Sequence, residues 1–417
     1  MVQGDMVVGL DLGTTKICAV IAEVTEEKGM KIIGVGTSPS DGLRRGVVVD
    51  VEKTVRAVEN AVREAELMAG VQVSSAYINI AGEHISSLNS RGVIALGGHQ
   101  HEISSQDKER VIAAASSVAI PFDRELLHVL PQEFIVDDQR GIRDPSGMSG
   151  VRLETTVHIV TGAVTAAQNI CKSVQRAGIQ VRGVLLEPLA AARAVLEDEE
   201  KEMGVCLVDL GGGTADVAVF YQGSVRHTAI VGLGGQSITN DIAICLRTSW
   251  PHAEKLKCEH GVARVSAVGE AELVEVPGVA GRASQDVARR ELASIIQARL
   301  EEILGMVRAE IRRAPCAELL GAGVVLTGGG AQLEGVAELA EQVLELPVRP
   351  GLPQGFQGMT EKITSTAYAT ALGLVLLGRE REEEPVNGRA PRRSGRRTDQ
   401  QSASVLGQVK KWLQAVT

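Results

Sequence analysis

The sequence predicts an α/β fold made of two related halves, with a small inserted unit and a C-terminal tail. Two segments share one design: an apolar run, Asp-Leu-Gly, small polar residues and a second apolar run. They are VVGLDLGTTKICAVI (7–21) and GVCLVDLGGGTADVAVFY (204–221). This repetition indicates an internal duplication, and therefore two related domains that face each other. Strand and helix patterns alternate in both halves, which is typical of α/β proteins.

The composition is that of a globular protein and argues against nucleic-acid binding. Apolar residues make up 44% of the 417 residues and charged residues 23%, which is enough for a sizeable core. Aromatic residues make up only 2%, and the net charge is −9. Modules that bind nucleic acids use exposed aromatic side chains and positive charge. We therefore predict no nucleic-acid partner.

The cysteines and the apolar runs indicate the compartment. No two of the six cysteines form a CxxC pair, which argues against a zinc ribbon and a disulfide framework. Cys18, Cys206 and Cys245 lie in apolar runs and are expected to be buried thiols. No uninterrupted apolar stretch reaches the roughly 18 residues of a membrane-spanning helix, and no leader pattern is present. These features predict a reducing, cytoplasmic compartment.

Local patterns place the elements of the first half. The β-rich runs on either side of Gly13 predict a hairpin. A helix is expected over 51–69, with Asp50 as its N-cap and Gly70 at its C-terminal end. The residues between 85 and 160 are more polar and are interrupted by proline and glycine, so they are predicted to form a small inserted α/β subdomain.

The second half repeats the hairpin and adds a third glycine cluster, Gly328–Gly330, after a strand at 324–326. Residues 379–403 are rich in Arg, Glu, Gly, Pro and Ser and are predicted to be a disordered linker. The predicted domains are a first lobe (1–84 and 161–195), the inserted subdomain (85–160), a second lobe (196–236 and 318–378) with a small subdomain (237–317), the linker (379–403) and a tail helix (404–417).

The two Asp-Leu-Gly turns are candidate phosphate-binding elements. Glycine lets the backbone approach a phosphate closely and present its N–H groups as donors. One turn comprises Gly13, Thr14 and Thr15, and the other comprises Gly211, Gly212, Gly213 and Thr214. Turns from facing domains can clamp a triphosphate from both sides. The alternative is that the glycines only close hairpins, and neither turn has the GxxxxGK[ST] pattern of a Walker loop.

Mg²⁺ prefers carboxylates and retained waters, so the aspartates before the turns are candidate metal ligands. They are Asp11 and Asp209, with Asp216 as a further candidate. Glu187 begins a predicted helix between the halves and can orient a water for attack on a γ-phosphate. Its alternative role is to complement the helix dipole. Lys16 either contacts phosphate or is an ordinary strand residue.

Other positions are candidates for the adenosine side of a nucleotide. Gly328, Gly329 and Gly330 can let an adenine ring lie against bare backbone. Glu254 and Lys257 lie in a probable helix and can hydrogen-bond ribose hydroxyls, or can form a solvated charged face. Gly234 and Gly235, before another probable helix, offer a further close approach of the backbone.

The tail carries the pattern of an amphipathic helix that binds a membrane surface. Its apolar residues fall on one helical face, and two lysines flank that face. The apolar residues are Val405, Leu406, Val409, Trp412, Leu413 and Val416, and the lysines are Lys410 and Lys411. The basic residues near the tail favour anionic lipids. A helix docked on its own domain or on a partner is the alternative.

Five segments together resemble the actin, sugar-kinase and heat-shock-chaperone ATPase superfamily, and within it the FtsA family of bacterial cell-division proteins. They are VVGLDLGTTKICAVIAEV (7–24), HVLPQEFIVDDQRGIRDPSGMSGVRLE (128–154), LVDLGGGTADVAVF (207–220), RHTAIVGLGGQSITNDIA (226–243) and VVLTGGGAQLEGV (324–336). The resemblance implies an actin-like, ribonuclease-H-like fold that binds ATP or ADP with Mg²⁺. Its phosphate contacts carry over to Asp11 and to both turns, and its adenosine contacts to Gly328–Gly330, Glu254 and Lys257. Glu187 matches the water-orienting acid of the chaperone members, with weak or no hydrolysis expected.

The resemblance also implies partners. Proteins of the FtsA family polymerise with themselves on the cytoplasmic face of the membrane, bind the C-terminal tail of the tubulin-like protein FtsZ, and recruit later division proteins. The inserted subdomain would serve polymerisation or partner contacts, and residues 237–317 would serve FtsZ. The remaining alternatives are a small-molecule kinase, a pilus-assembly adaptor of the same fold and a chaperone ATPase. The kinase would need a catalytic base and a large substrate domain, and the chaperone would need a peptide-binding domain after the ATPase body.

Overall fold

The structure, a computed structural model, describes residues 5–25, 29–97, 102–279, 281–358 and 361–383. Most of the predicted linker and all of the predicted tail helix lie outside the described residues.

The strands, numbered along the chain, are β1 Met6–Leu12, β2 Lys16–Val24, β3 Met30–Pro39, β4 Leu43–Arg44, β5 Val47–Val48, β6 Ser75–Ile80, β7 Ser86–Ala95, β8 Arg124–Val136, β9 Gln139–Ile142, β10 Arg152–Ala163, β11 Gln180–Leu186, β12 Val205–Leu210, β13 Ala215–Tyr221, β14 Ser224–Val231, β15 Leu273–Val276, β16 Gln285–Ala288, β17 Val324–Thr327, β18 Val348–Pro350 and β19 Phe356–Gln357.

The α-helices are α1 Val51–Ala69, α2 Ser105–Ser116, α3 Val164–Arg176, α4 Glu187–Val195, α5 Asp198–Met203, α6 Gly235–Cys245, α7 Trp250–His260, α8 Arg289–Arg313, α9 Val336–Leu344 and α10 Ala369–Glu383. Short 3₁₀ turns cover Val265–Ala267, Ala317–Leu319, Gly329–Gln332, Glu361–Thr364 and Thr366–Tyr368.

The chain divides into two compact units. Of the described residues, those within 5–85 and 165–376 form unit 1, and those within 86–164 and 377–383 form unit 2. The boundaries predicted from the sequence within and around these units stay predictions.

Unit 1 contains two sheets of one design. In the first, with strand order β11-β6-β1-β2-β3-β19, β1 and β2 form an antiparallel hairpin, and β6 runs parallel to β1. In the second, with order β14-β13-β12-β17-β18, β12 and β13 form the hairpin, and β17 runs parallel to β12. The hairpins predicted from the repeated segments are therefore confirmed. Parallel neighbours place the C-terminal ends of β1 and β6, and of β12 and β17, at one edge of each sheet.

Helices α4 and α10 join the two sheets of unit 1. Helix α4 packs against β12, β13 and β17 of the second sheet, although it directly follows β11 of the first. Helix α10 lies against β1, where a Cβ on Gly9 would be 2.5 Å from the backbone oxygen of Ala371. A Cβ on Gly373 would clash with the backbone of Ala190. The two helices therefore cross at a point that only glycine permits.

Helix α1 shows how local signals define an element. The side chain of Asp50 accepts a hydrogen bond from the N–H of Lys53, which caps the N-terminus. The chain ends the helix at Gly70, whose φ of 69° is left-handed and whose N–H donates to the oxygen of Glu66. The buried face, which includes Val55, Val58 and Val62, packs into the core of the first sheet.

Unit 2 is a separate α/β body. Its sheet has the order β7-β10-β8-β9, and α2 packs against β7 and β10. Ser104 and Asp107 form a reciprocal capping box at the start of α2. Two histidines on neighbouring strands, His128 on β8 and His158 on β10, are buried in this unit.

Two expectations need correction. Cys245 is exposed. The buried apolar face of α6 comprises Ile238 and Ile242 and continues to Leu246 directly after the helix, and Cys245 lies off this face. Residues 379–383, expected to open the linker, are helical and continue α10. Their alternating Arg and Glu residues have high helix propensity. Within the ranges given above, no helix combines the length and the hydropathy that spanning a membrane requires.

His128 should make the protein less stable in mild acid. Burial, with the positive charge of Arg381 and then His158, lowers the pKa of His128 to about 3, whereas an unfolded histidine titrates near 6.5. Between these values the unfolded chain binds more protons, so the free energy of unfolding falls as the pH falls. Between about pH 7 and about pH 5, we expect the free energy of unfolding to fall by about 2 kcal/mol less in His128→Leu than in wild type.

Urea unfolding followed by circular dichroism at the two pH values measures this difference. The control is His252→Leu, at an exposed position, which should retain the wild-type dependence on pH. An equal drop in wild type and His128→Leu would contradict the account.

Candidate functional site

The two hairpin turns of unit 1 close with the same hydrogen bond. The N–H of Gly13 donates to the oxygen of Lys16 at 3.1 Å, and the N–H of Gly211 donates to the oxygen of Thr214 at 2.9 Å. Each turn follows a buried strand that carries an aspartate, Asp11 in β1 and Asp209 in β12. The duplication seen in the sequence is thus present in the backbone of both turns.

The turns face each other at close range. A Cβ on Gly212 would lie 2.5 Å from Cγ2 of Thr15 and 2.7 Å from its Oγ1. A Cβ on Gly213 would lie 2.6 Å from Oγ1 of Thr14. That hydroxyl also accepts the N–H of Gly46 at 3.1 Å. Real Cβ atoms do not approach other atoms so closely, so a side chain at either position would force the threonine or the turn to shift.

A cavity of about 90 Å³ lies between the turns. It brings together residues from both halves of the repeat. Most of the candidates for the phosphates, the metal and the water line it, and so do two of the adenosine candidates, Gly328 and Gly329. The former are Asp11, Gly13, Thr14, Thr15, Lys16, Glu187, Asp209, Gly211, Gly212, Gly213 and Thr214. Its remaining lining residues are Leu12, Gly46, Ala81, Thr366, Ala367 and Thr370.

Four carboxyl groups in and beside this cleft dominate its electrostatics: Asp11, Asp209 and Asp216 are buried, and Glu187 is half-buried. Burial raises the pKa of Asp11 to about 7, that of Asp209 to about 6 and that of Asp216 to about 8. Burial, with the charges of Asp216, Asp209 and Asp11, also raises the pKa of Glu187 well above its usual range. Lys16 counters these effects at Asp11 and Asp209. The cleft therefore favours ligands that bring positive charge to the carboxyls.

Lys16 spans the cleft. Its Nζ donates to the oxygen of Ala367 at 2.8 Å and lies 3.8 Å from the centre of the Tyr368 ring. This ammonium is thus held at the cleft wall by a carbonyl and an aromatic face, a cation–π arrangement, and remains close enough to Asp11 and Asp209 to affect their pKa values.

The donor set suits a magnesium ion that keeps its waters. Among the described residues, no three His, Cys, Asp or Glu side chains converge closely enough to hold a metal alone. Mg²⁺ is commonly held by one or two carboxylates with the remaining positions filled by water and phosphate. Asp216 Oδ1 is buried without a hydrogen-bond partner, while Oδ2 accepts from Thr214. Such an unpaired buried oxygen fits a neighbouring water or cation.

Gly328 is required by the position of Asp209. Its φ is 87°, in the left-handed region, and a Cβ there would clash with the carboxylate of Asp209. Gly330 packs against Leu210 in a similar way, with a Cβ expected 2.6 Å from Cγ of that leucine. A Cβ on Gly329 would meet nothing within 4 Å. The backbone at this position is therefore not covered by other protein atoms on that side.

Four candidates for the adenosine side lie behind the second turn and do not line the cleft. The N–H of Gly235 donates to the oxygen of Gly211 at 2.9 Å, and Gly234 precedes α6 at this contact. Lys257 Nζ donates to Glu254 Oε2 at 2.8 Å and to the oxygen of Gly235 at 3.1 Å. Gly330, likewise outside the lining, packs on Leu210. The lysine–glutamate pair is therefore tied to the start of α6.

A second, larger cavity of about 430 Å³ begins at Gly213. Its other lining residues are Arg44, Arg45, Leu233, Gln236, Ser237, Asn240, Asp241, Trp250 and Arg299. The one carboxylate among them, Asp241, is held by Arg299 through bonds of 2.5 and 3.1 Å. Arg45 adopts a left-handed φ of 48°.

Sequence reasoning missed the polar side chains that hold the carboxyls in place. Asn79 Nδ2 donates to Asp11 at 3.0 Å and to Glu187 at 2.9 Å, and Thr370 Oγ1 donates to Asp209 at 3.0 Å. The sequence does carry a signal for Asn79, because it is a polar residue near the end of the apolar strand β6, and β6 lies beside β1. Thr370 lies far away in the chain and gives no such signal.

Comparison with known proteins assigns the family. The family model for cell division protein FtsA matches residues 206–373, and the model for the SHS2 domain inserted in FtsA matches residues 82–161. The cell division protein FtsA of Pseudomonas aeruginosa is 44% identical over 412 residues, which cover 99% of this chain and 98% of that protein. The chain belongs to the FtsA family.

Solved structures establish the actin-like fold expected of the FtsA family. A PilM–PilN type IV pilus biogenesis complex matches with a TM-score of 0.64 at 16% identity, covering 89% of this chain and 98% of that chain. MreB5 of Spiroplasma citri bound to ADP matches with a TM-score of 0.52 at 14% identity, covering 91% and 97%. The predicted actin-like α/β fold with an inserted subdomain is confirmed.

Asp216 should make unit 1 less stable as the pH rises. Its pKa is raised to about 8, mainly by burial and then by Asp209, against the opposing hydrogen bond from Thr214. An unfolded aspartate titrates near 3.9, so the folded state binds more protons between these values, and the free energy of unfolding falls as the pH rises. The free energy of unfolding of Asp216→Asn minus that of wild type should therefore be about 2 kcal/mol larger at about pH 8 than at about pH 6.

Chemical unfolding in EDTA without nucleotide measures this gain. Asp138→Asn is the matched control, because the side chain of Asp138 is fully exposed and its change should leave the pH dependence as it is. A relative stability of Asp216→Asn that does not change with pH would refute the prediction.

Proposed function

We propose that this member of the FtsA family binds ATP or ADP between the two hairpin turns and acts as an actin-like adaptor at the bacterial division site. The observation that carries the proposal is the contact of Gly212 and Gly213 with Thr15 and Thr14, which brings both glycine turns to one cleft. The ADP bound by MreB5, a protein of the same fold, supports a nucleotide as the ligand.

Each part of the cleft has a role in this proposal. The backbone of the turns, Gly13 to Thr15 and Gly211 to Thr214, would donate N–H groups to the phosphates. Asp11 and Asp209 would hold Mg²⁺ through its waters, and the ion would offset the negative charge of the phosphates. Lys16 would contact a phosphate. Gly234, Gly235, Glu254, Lys257 and Gly328–Gly330 would form the adenosine side, which requires the ligand to extend beyond the 90 Å³ between the turns.

Weak or no hydrolysis is sufficient for an adaptor. Glu187 begins α4 and lines the cleft, where it would orient a water toward the terminal phosphate. Burial and the charges of Asp216, Asp209 and Asp11 raise the pKa of Glu187, and a bound Mg²⁺ would oppose that rise. The proposal needs nucleotide binding but only weak turnover.

A single methyl group in the second turn should disrupt nucleotide binding. Gly212→Ala places a Cβ against Thr15, so the turns must move apart, and we expect the affinity for Mg-ATP to fall at least about tenfold, or about 1.4 kcal/mol. Calorimetry measures this change. Gly305→Ala is the matched control, because a Cβ there meets nothing within 4 Å. Unchanged affinity in folded Gly212→Ala would reject this site.

The proposal extends to the membrane through residues 404–417. The apolar face from Val405 to Val416, with Lys410 and Lys411, would lie in the inner face of the cytoplasmic membrane. One short helix anchors weakly, so polymerisation of the protein would add avidity across many tails. At the septum, the adaptor would hold the C-terminal tail of FtsZ through residues 237–317 and would recruit later division proteins.

Deletion of residues 404–417 should abolish co-sedimentation with anionic vesicles and should leave ATP affinity at the wild-type value. The reason is that the tail supplies both the apolar face and the nearby positive charge. Uncharged vesicles serve as the control, to which the full chain should bind less. A truncated protein that still sediments with anionic vesicles would show that the tail assignment is wrong.

The larger cavity was considered as the acceptor site of a small-molecule kinase. It borders the second turn at Gly213, the place where an acceptor would meet a terminal phosphate. However, its carboxylate, Asp241, is held by Nε and Nη2 of Arg299, and a base engaged in this way is poorly placed to take a proton from an acceptor hydroxyl. The adaptor is therefore the better-supported function.

A further inference from the structure

One buried amide lies between two of the carboxyl groups in the cleft. Strand β6 runs between β1 and β11 in the first sheet, and Asn79 lies near its C-terminal end, opposite Leu185 of β11. Asp11 is in β1, and Glu187 directly follows β11. Asn79 is 1% exposed. The topology of the sheet thus places this side chain midway between the two acids.

The amide has a defined orientation. Asn79 Oδ1 accepts the backbone N–H of Leu12 at 2.7 Å. A backbone N–H can only donate, so the oxygen must face it and the NH₂ group must face the other way. The NH₂ group then donates one hydrogen to Asp11 Oδ1 at 3.0 Å and the other to Glu187 Oε2 at 2.9 Å. Nearly all of the hydrogen-bonding capacity of the side chain is therefore used.

We propose that Asn79 is a positioning residue, which holds Asp11 and Glu187 in fixed orientations so that the free oxygen of each carboxyl group faces the cleft. The inference rests on the nucleotide site proposed above. In that site, Asp11 would hold the metal and Glu187 would orient the water. The amide of Asn79 would align these two acids with each other. Because the backbone of Leu12 precedes the first turn, the same amide also ties the carboxyls to Gly13.

This role is more specific than filling the core. The bond from Leu12 satisfies only the amide oxygen, so the buried NH₂ group needs an acceptor of its own, and any one acceptor would lower the cost of its desolvation. Both NH₂ hydrogens, however, are directed to carboxyl groups, one in β1 and one at the start of α4. Partners that orient metal-binding side chains commonly change metal affinity or activity by about 10- to 100-fold when they are removed.

The test is Asn79→Leu, which keeps a branched side chain with the same number of heavy atoms and removes all three hydrogen bonds. We would measure the affinity for a fluorescent ATP analogue in EDTA and then the Mg²⁺ concentration that gives half of the metal-dependent gain in affinity. We expect affinity in EDTA within about twofold of wild type and a Mg²⁺ midpoint raised at least about tenfold. Where turnover is measurable, kcat should fall more than KM rises.

Two further variants keep the test decisive. Asn79→Thr places a smaller polar side chain with a hydroxyl at this position and covers the case in which the leucine variant does not fold; it should also raise the Mg²⁺ midpoint. Thr54→Val is the matched control, since it removes one bond from a fully buried hydroxyl, to Asp50, outside the carboxyl cluster. Its Mg²⁺ midpoint should equal that of wild type.

A Mg²⁺ midpoint within about twofold of wild type in the folded variants would overturn the inference. An equal loss of affinity for the ATP analogue in EDTA and in Mg²⁺ would also overturn the inference, because such a loss would indicate a general structural role for Asn79. Failure of the proposed function looks different: the wild-type protein itself would then bind no adenine nucleotide.

Discussion

The structure of unit 1 depends on the close approach of two backbone turns. Gly212 and Gly213 leave no room for a Cβ against Thr15 and Thr14, and each turn is the end of a hairpin anchored in its own sheet. Gly328 repeats the same constraint beside Asp209, and Gly373 repeats it where α10 crosses α4. Glycine at these points lets the second turn pack directly against the short side chains of Thr14 and Thr15 in the first turn. The cleft depends on this close contact.

The approach of the turns brings carboxyl groups together at an electrostatic cost. Asp11, Asp209, Asp216 and the half-buried Glu187 lie within one region, and loss of solvent raises the pKa of each. Lys16 is the cation whose charge opposes these shifts at Asp11 and Asp209. Hydrogen bonds from Asn79, Thr214 and Thr370 oppose them further. A functional site commonly concentrates perturbed groups of this kind, and a cation with its ligand would relieve the repulsion that the fold imposes.

Much of the fold was predictable because its signals are local. The repeated Asp-Leu-Gly segments gave both hairpins, and Asp50 and Gly70 gave the ends of α1. The candidate phosphate residues met at one cleft because the duplication itself predicts that the turns face each other. Asn79 and Thr370 could not be selected in this way, since their partners lie on other strands and helices. The exposure of Cys245 was missed for a related reason, because the apolar stripe of α6 moves to Leu246 and only tertiary packing fixes which side is buried.

A crystal structure of the full chain grown with Mg²⁺ and AMPPNP tests the central claim most directly. The account predicts density for the terminal phosphates between the turn at Gly13 and the turn at Gly212, with the metal on the side of Asp11 and Asp209. A nucleotide bound elsewhere, for example only in the cavity lined by Arg44 and Trp250, would contradict the account. So would an empty cleft in crystals soaked at a nucleotide concentration far above a measured dissociation constant.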